Sequence, residues 1–586
     1  MTPIPLRPRL VAALLIAGLG LPAGAQAAAG PTVSTAPGRV VFPADAGATV
    51  DNVDAGGASL ATALPDASTL LIGSGAGNVL YAAKLGLHGA LDRSFGAGGV
   101  TPLPTPSGAA SGLLQLLRQP DGKLLLVGAQ QLSTPRFAPP LLRVTRLNAD
   151  ATLDRSYGVE GTATIAVAEG CGACTTAALQ DDGAVVLTGT TGEVAPPPAP
   201  LSFRWALTRL TPAGAVDRGF GSDGIVTIPT AISTSGFNVA IGSGGTIVTE
   251  AQSQLGPDTQ FLLTRLTSSG APDPTFAGGT PVVVPFSSGF LMLLEDDGSI
   301  VLNGLTQGSL APGAATPAHQ LLARYTAAGT PDPAFGQGGV VDLGAEIGLS
   351  QILPAAGHAV LVVGTPAATL PAGLPASGRL NVRLVAPDGT TGPALGRDID
   401  LAFGGGGSSF VVSVKPRPVG SLAQNSFFGQ RLVPRPDGSY LVPGAVRVSQ
   451  PTGEGTGFSI GRFAAAALTP SLRLDTTFGG PAAPLRLSAR VVRQRAQTAR
   501  AKHGIRIVLK ASAVGLARVK ITHGGRAIAH SLLPIFTTTS RTLPVELTSY
   551  GNSYLRRHRN VSVSITATAR DLLTTTATTT ARGRLR

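Results

Sequence analysis

The sequence predicts an all-β fold, namely a seven-bladed β-propeller followed by a small Ig-like β-sandwich. Three observations support this fold class: the composition, a motif that recurs seven times, and a change of charge near residue 484. The chain has 586 residues, of which 77 are glycine and 47 are proline, whereas charged residues make up 13% and aromatic residues 4%. Short strands joined by tight turns have this composition, and helical bundles do not.

The first 27 residues have the pattern of a secretory signal peptide. Arg7 and Arg9 precede an apolar run at residues 11–21, and residues 25–27, Ala-Gln-Ala, fit a cleavage site. A membrane span needs roughly twenty apolar residues, so a permanent N-terminal anchor is the weaker alternative. We expect cleavage near Ala27, a linker over residues 28–37, no transmembrane segment, and a secreted or cell-surface protein.

The chain contains two cysteines, Cys171 and Cys174. In an exported protein, a pair this close predicts a small disulfide loop, with free thiols as the next alternative. A thioredoxin-like redox site requires the pair at the start of a helix in a βαβ unit, and a structural zinc requires two further ligands. The sequence offers neither context, and it predicts no cofactor.

A six-residue signature, Leu-Asp-Arg-Ser-Phe-Gly in its first copy, recurs seven times with 56 to 75 residues between copies. The aromatic residues of the seven copies are Phe95, Tyr157, Phe220, Phe276, Phe335, Phe403 and Phe478. Each unit also carries an Asp-Gly-like turn between two apolar runs, which is a strong signal for a hairpin. The unit length of about sixty residues marks this part of the chain as a repeat architecture.

Each unit predicts four antiparallel strands. One follows the aromatic-glycine turn, two flank the Asp-Gly turn, and one ends at a basic residue. Seven such units predict a seven-bladed propeller over residues 38–483, because radial closure leaves no exposed sheet edge. A linear β-solenoid is the alternative, since repetition alone does not establish closure.

In five units a basic residue precedes the signature aspartate by eight positions, whereas Arg383 and Asp400 are 17 apart and Arg462 and Asp475 are 13 apart. The five aspartates are Asp92, Asp154, Asp217, Asp273 and Asp332. We predict that four of the basic residues anchor the turn that carries the following aspartate, as structure and not as a ligand site: Arg146, Arg209, Arg265 and Arg324. A calcium ring is not expected, because one carboxylate per unit cannot supply six to eight clustered oxygens.

These motifs resemble the delta-60 repeat of secreted bacterial proteins, a family assigned to β-propellers. The resemblance covers roughly residues 38–480. It implies a propeller fold and export, and it supplies no agreed activity and no catalytic residue.

The character of the chain changes from about residue 484. Residues 484–586 hold 19 Lys or Arg against Glu546 and Asp571, a net charge of +17, whereas residues 28–483 have a net charge of −6. Alternating runs at residues 505–510, 517–522 and 561–566, with Gly524-Gly525 as a turn, predict an Ig-like β-sandwich. Residues 547–571 resemble the Ig-like end domains of secreted actinobacterial proteins.

The basic C-terminal segment predicts attraction to anionic surfaces, with Arg556, Arg557 and Arg559 as a dense patch. A solvated surface that only keeps the chain soluble is the alternative. Nucleic-acid binding is not expected, because the strands lack interleaved aromatic residues.

No catalytic or metal-binding constellation is visible in the sequence. Residues 457–461, Gly-Phe-Ser-Ile-Gly, match a nucleophile elbow, but Ser459 falls within a predicted strand. The sequence therefore predicts a monomeric extracellular scaffold or binding module without enzyme activity, with an unknown protein, glycan or anionic cell-wall polymer as partner. The alternative is a propeller hydrolase or lyase whose active site lies at the mouth of the axial channel.

Overall fold

A computed structural model describes most of the chain from residue 34 onward. The described residues are 34–36, 39–42, 57–74, 79–96, 98–103, 111–130, 141–165, 176–191, 204–230, 234–255, 258–286, 288–306, 318–345, 347–366, 379–392, 395–400, 409–411, 432–451, 457–481, 484–513, 515–535, 540–571 and 576–586. The predicted signal peptide, Cys171, Cys174 and Phe403 lie outside them. Across these ranges, no helix has the length and apolar character needed to cross a membrane.

Six four-stranded antiparallel sheets follow one another along the chain after two short strands, β1 (Ser34–Ala36) and β2 (Arg39–Phe42). Sheet 1 comprises β3 (Gly57–Ala63), β4 (Thr69–Ser74), β5 (Leu80–Leu85) and β6 (Val100–Pro102). Sheet 2 comprises β7 (Ser111–Arg118), β8 (Leu124–Gln130), β9 (Leu141–Leu147) and β10 (Thr162–Ile165). Sheet 3 comprises β11 (Thr176–Leu179), β12 (Val185–Thr191), β13 (Arg204–Leu210) and β14 (Ile225–Ile228).

The next three sheets repeat this order, each strand pairing with the one before it in the chain. Sheet 4 comprises β15 (Thr234–Ile241), β16 (Ile247–Leu255), β17 (Asp258–Leu266) and β18 (Val282–Val284). Sheet 5 comprises β19 (Ser288–Leu294), β20 (Ile300–Leu305), β21 (Gln320–Tyr325) and β22 (Val340–Gly344). Sheet 6 comprises β23 (Ile347–Pro354), β24 (Val360–Pro366), β25 (Arg379–Val385) and β26 (Leu395–Asp400). Short 3₁₀ turns cover Ser243–Gly245, Ala277–Gly279 and Ala356–His358.

Sheet 7 combines strands from both ends of the repeat region. It comprises β27 (Ser409–Val411), β28 (Val433–Pro434), β29 (Tyr440–Pro451) and β30 (Gly457–Leu468), together with β1 and β2. β2 pairs antiparallel with β30, from Arg39 opposite Ala466 to Phe42 opposite Phe463. The N-terminal strand therefore completes the last sheet of the repeat region. Ser459 lies in β30 opposite Ser449.

The first strand of each sheet lies beside the first strand of the next sheet. The contacts run from β3 to β7, β11, β15, β19 and β23, and β28 of sheet 7 contacts β3 of sheet 1. Between sheets 6 and 7, the side chain of Gln351 donates to the carbonyl of Leu432 over 3.0 Å and accepts from its N–H over 2.7 Å. The chain of contacts thus returns to the sheet from which it starts.

The junctions between successive sheets from sheet 1 to sheet 6, and the junction of sheet 7 with sheet 1, each enclose an apolar core. In sheet 2, Leu124 and Leu126 pack toward sheet 1, whereas Leu125 and Val127 pack toward sheet 3. Successive side chains of a strand point to opposite faces, so a second strand buried on both faces requires an unbroken apolar run. This requirement explains the apolar runs that follow the Asp-Gly turns.

The C-terminal segment contains two sheets that share one core. The elements are β31 (Leu487–Val491), α1 (Ala496–Ala501), β32 (Gly504–Ala511), β33 (Gly515–His523), β34 (Arg526–Ile535), β35 (Arg541–Glu546), α2 (Ser549–Arg557), β36 (Val561–Asp571) and β37 (Thr576–Leu585). Sheet 8 has the order β31-β32-β35 and sheet 9 the order β34-β33-β36-β37. Ile507, Val519 and Ile565 meet in the core, and Leu555 of α2 covers it.

Glu250 is a carboxylate inside this apolar architecture. It lies on β16 with 3% of its surface exposed, and the amide of Asn238 on the neighbouring strand donates to it. Burial raises the pKa of Glu250 from 4.5 to about 7, because the charged form loses its hydration. Between these two values the folded protein holds a proton that the unfolded chain releases.

We predict that Glu250 lowers the stability of the fold as the pH rises from about 4.5 to about 7, by at most ~3 kcal/mol in total. Glu250→Gln keeps the shape and the hydrogen bond but cannot ionise. The free energy of unfolding, measured by denaturant titration at pH 5, 6, 7 and 8, should therefore fall less steeply for the variant than for the wild type. Parallel pH profiles for the two proteins would contradict this role.

Candidate functional site

The signature aspartate uses its two carboxylate oxygens for different purposes. Oδ1 accepts the backbone N–H two residues later, at 2.9–3.1 Å, and thereby shapes the turn. This bond occurs at Asp92, Asp154, Asp217, Asp273, Asp332 and Asp475. Oδ2 remains free to pair with the basic residue eight positions earlier.

The structure brings each predicted basic residue to its aspartate. Nε lies 2.8 Å from Oδ2 in Arg146–Asp154, 2.7 Å in Arg209–Asp217 and 2.7 Å in Arg265–Asp273. The pairs are looser in the flanking units. Nε of Arg324 lies 3.9 Å from Asp332, and Nζ of Lys84 lies 3.4 Å from Asp92.

Hydrogen bonds at these turns lower the pKa of several signature aspartates. Lys123 and then Ser156 hold the pKa of Asp154 well below its usual range. The hydroxyl of Thr275, with help from Arg265, lowers the pKa of Asp273. These carboxylates therefore stay ionised at neutral pH, which keeps the ion pairs intact.

The paired arginine also reaches the next sheet. Nη1 donates to a turn carbonyl there, over 2.7 Å from Arg146 to Pro212, 2.6 Å from Arg209 to Ser268 and 2.6 Å from Arg265 to Ala327. Its guanidinium lies over the buried signature aromatic of its own sheet, 4.7 Å from the ring centre of Tyr157 or Phe220 and 5.2 Å from that of Phe276. We name this combination of aspartate, arginine, aromatic ring and neighbouring carbonyl the inter-sheet clamp.

A glycine of the next sheet packs against the aromatic ring of the clamp. Gly214 has a φ of +85°, and a Cβ there would lie 2.9 Å from the ring of Tyr157 and 2.8 Å from the backbone nitrogen of Gly158. Both the backbone conformation and the space therefore require glycine. Gly270 and Gly329 meet Phe220 and Phe276 in the same way.

A variant of the clamp joins sheet 7 to sheet 1, in which an arginine at another position contacts the ring and the neighbouring carbonyl. The position eight before Asp475 is Ala467, and the guanidinium comes instead from Arg435, just before the Asp-Gly turn. Arg435 lies 5.7 Å from the ring centre of Phe478 and donates over 2.6 Å to Leu87 of sheet 1. The spacing of 13 between Arg462 and Asp475 departs from eight because Arg435 makes the contacts with Phe478 and Leu87.

The described residues of sheet 6 show no clamp, and they correct the assignment of its signature. The bridge that opens each signature turn joins Val385 to Thr391, and Gly392 makes the backbone bond that the aspartate makes elsewhere. Asp400, taken from the sequence as the sixth signature aspartate, lies in β26 and pairs with Arg379 in the ladder. The signature letters of this unit, at residues 399–404, therefore do not mark its signature turn, which the bridge between Val385 and Thr391 opens.

Glu295, Asp297 and His358 form an acidic cluster between sheets 5 and 6, with potential ligand atoms within 4.8 Å of one another. Glu295 is buried and already accepts from Arg324 and, over 2.9 Å, from the hydroxyl of Ser299. Its charge is therefore balanced within the junction. His358 also accepts from Arg324 through its backbone carbonyl, over 3.1 Å, so the cluster serves as a variant of the clamp.

The predicted basic patch lies at the end of a helix that the sequence did not predict. Arg556 and Arg557 are exposed in the last turn of α2, and Arg559 is exposed two residues beyond. With its amide oxygen facing α2, Gln497 of α1 accepts from Arg559 over 2.9 Å. The hydroxyl of Thr548 caps α2 by accepting from Gly551 over 2.9 Å, which was a signal available in the sequence.

We expect Arg209→Ala to lower the free energy of unfolding by about 2 kcal/mol, because it removes the ion pair, the inter-sheet hydrogen bond and the contact with Phe220. Arg155→Ala is the matched control, since the pair of Arg155 with Glu160 is about 70% exposed on both sides and should contribute at most ~1 kcal/mol. Urea denaturation of both variants measures the difference. Equal losses would mean that Arg209 has no role in the junction.

Gly214→Ala and Gly122→Ala test the junction without removing any charge. Gly122 has a φ of +87°, nearly that of Gly214, but a Cβ there meets nothing within 4 Å. The strain of the left-handed backbone costs ~1–2 kcal/mol in both variants, and Gly214→Ala adds overpacking of ~1–3 kcal/mol. Thermal unfolding should therefore separate the two variants, and coincident melting temperatures would contradict the packing described for Tyr157.

Comparisons with known proteins bear on the fold. A family model described as "Domain of unknown function (DUF5122) beta-propeller" matches residues 119–157, which run from the Asp-Gly turn of sheet 2 to its signature aromatic. A search of curated proteins finds no relative of this chain.

Several solved structures align with the chain at low identity. Polysaccharide lyase Uly1 is 10% identical, with a TM-score of 0.39 over 72% of this chain and 91% of its own. A PL25 ulvan lyase is 11% identical, with a TM-score of 0.34 over 59% and 85%. The mannose phosphorylase MPT-4 from Leishmania mexicana is 11% identical, with a TM-score of 0.28 over 51% and 92%. These alignments carry no information on activity. The family match and the repeated small antiparallel sheets identify the fold of the repeat region as a β-propeller.

Proposed function

We propose that this chain is a secreted protein in which a closed seven-bladed propeller acts as an extracellular binding scaffold and a basic Ig-like domain tethers it to an anionic surface. The observation that carries the proposal is that the two segments differ in architecture and in net charge. The propeller contributes a rigid frame with a net charge of −6, and all of the mature chain's excess positive charge lies in residues 484–586.

The contacts between sheet 7 and sheet 1 support closure with seven blades. Arg435 donates to Leu87, Gly479 donates its N–H to the carbonyl of His88 over 2.8 Å, and β28 contacts β3. These are the same contacts that join consecutive sheets elsewhere. A linear solenoid would leave the corresponding groups of its two end sheets unpaired.

The topology favours one end of the propeller for binding. Asp-Gly turns and signature turns lie at the same end of the sheets, where the clamp occupies their polar groups. The remaining connections leave at the other end, and they vary in length from the two residues between β16 and β17 to the fourteen between β20 and β21. Binding residues are concentrated on such variable connections because a rigid frame positions them without constraining their sequence.

The alternative of a propeller enzyme stays without support from the described residues. At the sheet junctions of the repeat region, Asp154, Asp217, Asp273 and Glu295 pair with the arginines of the clamp. Glu250 is buried in a core. The partner of the scaffold is therefore proposed by class only, as a protein, glycan or anionic cell-wall polymer.

The exposed charge of the C-terminal segment supports the tether. Among the described residues, none of the ion pairs involves a residue of 484–586. Its arginines and lysines are thus available to an external anion. Attraction of this kind weakens as salt shortens the Debye length from about 10 Å at 0.1 M to about 3 Å at 1 M.

We expect the full mature chain to be retained on anionic cell-wall preparations at 0.1 M salt and released at 1 M. Replacing Arg556, Arg557 and Arg559 together by glutamine should weaken retention at low salt, since three exposed charges are removed from one surface. A pelleting assay on both proteins, across the salt range, measures this. Retention that ignores both salt and the triple substitution would remove the tether from the proposal.

A further inference from the structure

A cationic cavity lies in the C-terminal segment, away from the propeller contacts described above. Its volume is about 470 Å³, and it opens between the residues that follow β31, the helix α1 and the start of β32. Arg493, Arg495, Lys502 and Arg506 line it, together with Gln494 and Thr498. No acidic side chain is among its lining residues.

The wall of the cavity is fixed by hydrogen bonds that do not involve its cations. The side chain of Gln494 donates to the carbonyl of Arg506 over 2.9 Å and accepts from its N–H over 3.2 Å. The backbone of the C-terminal Arg586 donates to Gln494 over 3.0 Å and accepts from Ala496 over 2.6 Å. Three separate segments are therefore held together, and the four charged side chains start from a preorganised backbone.

The four cations line the cavity as exposed residues, and none of them forms an ion pair with a described residue. Like charges in one concavity repel each other and raise the local concentration of anions. The guanidinium groups supply planar forks of donors that match oxyanions, and Thr498 adds a hydroxyl. The site is thus complementary to an anionic ligand.

The size of the cavity restricts the ligand. A volume of this order lies within the range of pockets that bind one small molecule. A uronic acid carries a single charge per sugar, so it leaves most of the four cations unbalanced. Two phosphate or sulfate ester groups on one such unit supply the charge in the available space.

We propose that this cavity binds an oligoanion that carries two or more phosphate or sulfate ester groups. The inference rests on the proposed tether and deepens it, because it replaces diffuse attraction by a discrete, saturable site. The hydrogen bond between Gln497 and Arg559 places the patch of Arg556, Arg557 and Arg559 on the far flank of α1. A polymer held in the cavity can therefore continue onto that patch.

The test compares two variants of the full mature chain that lose the same charge. Arg493→Gln with Arg506→Gln removes two cavity cations, whereas Arg582→Gln with Arg584→Gln removes two exposed cations of β37 that do not line the cavity. Inorganic tripolyphosphate and a disulfated disaccharide serve as probes in isothermal titration calorimetry at 0.15 M salt. Melting temperatures of both variants check that the fold is kept.

We expect saturable binding of one probe molecule per chain. The cavity variant should lose at least tenfold in affinity and the β37 variant less than threefold. Tighter binding of tripolyphosphate would assign phosphate esters as the natural ligand, and tighter binding of the disaccharide would assign sulfate esters.

Equal losses in the two variants would overturn the cavity site and leave the tether in place as diffuse attraction. Absence of saturable binding for both probes would also overturn it. If the chain binds a probe in the cavity but is not retained on anionic cell walls, the cavity proposal stands and the tether fails.

Discussion

The repeat region depends on an arginine that is shared between two sheets. A four-stranded sheet with apolar side chains on both faces is not stable alone, because it must bury both of them against neighbours. The clamp joins such sheets in a defined orientation. The aspartate fixes the arginine, the arginine holds the next turn through its carbonyl, and the aromatic ring fills the space that a glycine leaves open. The three sheets with the full clamp, sheets 2 to 4, use the same set of contacts at the same positions.

The sequence was sufficient to predict the hairpins and the arginine–aspartate pair of the clamp, because both are encoded by residues close together in the chain. Arg146 lies near the end of β9 and Asp154 in the turn that follows it, so a fixed spacing of eight identifies them. Arg435 escapes such a search, because the residue before the Asp-Gly turn and the residue at the end of the third strand are neighbours in space but about thirty positions apart. The Glu295–Arg324 contact shows the same adjacency. A motif search also misses Gly392, because the signature turn of sheet 6 forms there without the signature residues.

The C-terminal segment was less predictable than the repeats, because it has no internal copies for comparison. Alternation predicted β32, β33 and β36, since one face of each strand packs on the shared core. The helices α1 and α2 are too short for a periodic apolar pattern to stand out. The cationic cavity could not be predicted, because its wall depends on contacts between residues far apart in the chain, such as those of Arg586 with Gln494 and Ala496.

The pairing of β2 with β30 has a consequence for how the protein is made. Phe42 and Phe463 are about 420 residues apart, so β2 leaves the ribosome long before its partner exists. Until then β2 presents unpaired backbone groups, and sheets 1 to 6 form an open array with two unprotected ends. Loop closure over such a distance is slow and leaves intermediates that can pair with other chains. A nascent chain that stops short of residue 457 lacks β30, so sheet 7 cannot form the pairing between β2 and β30 until the repeat region is nearly complete.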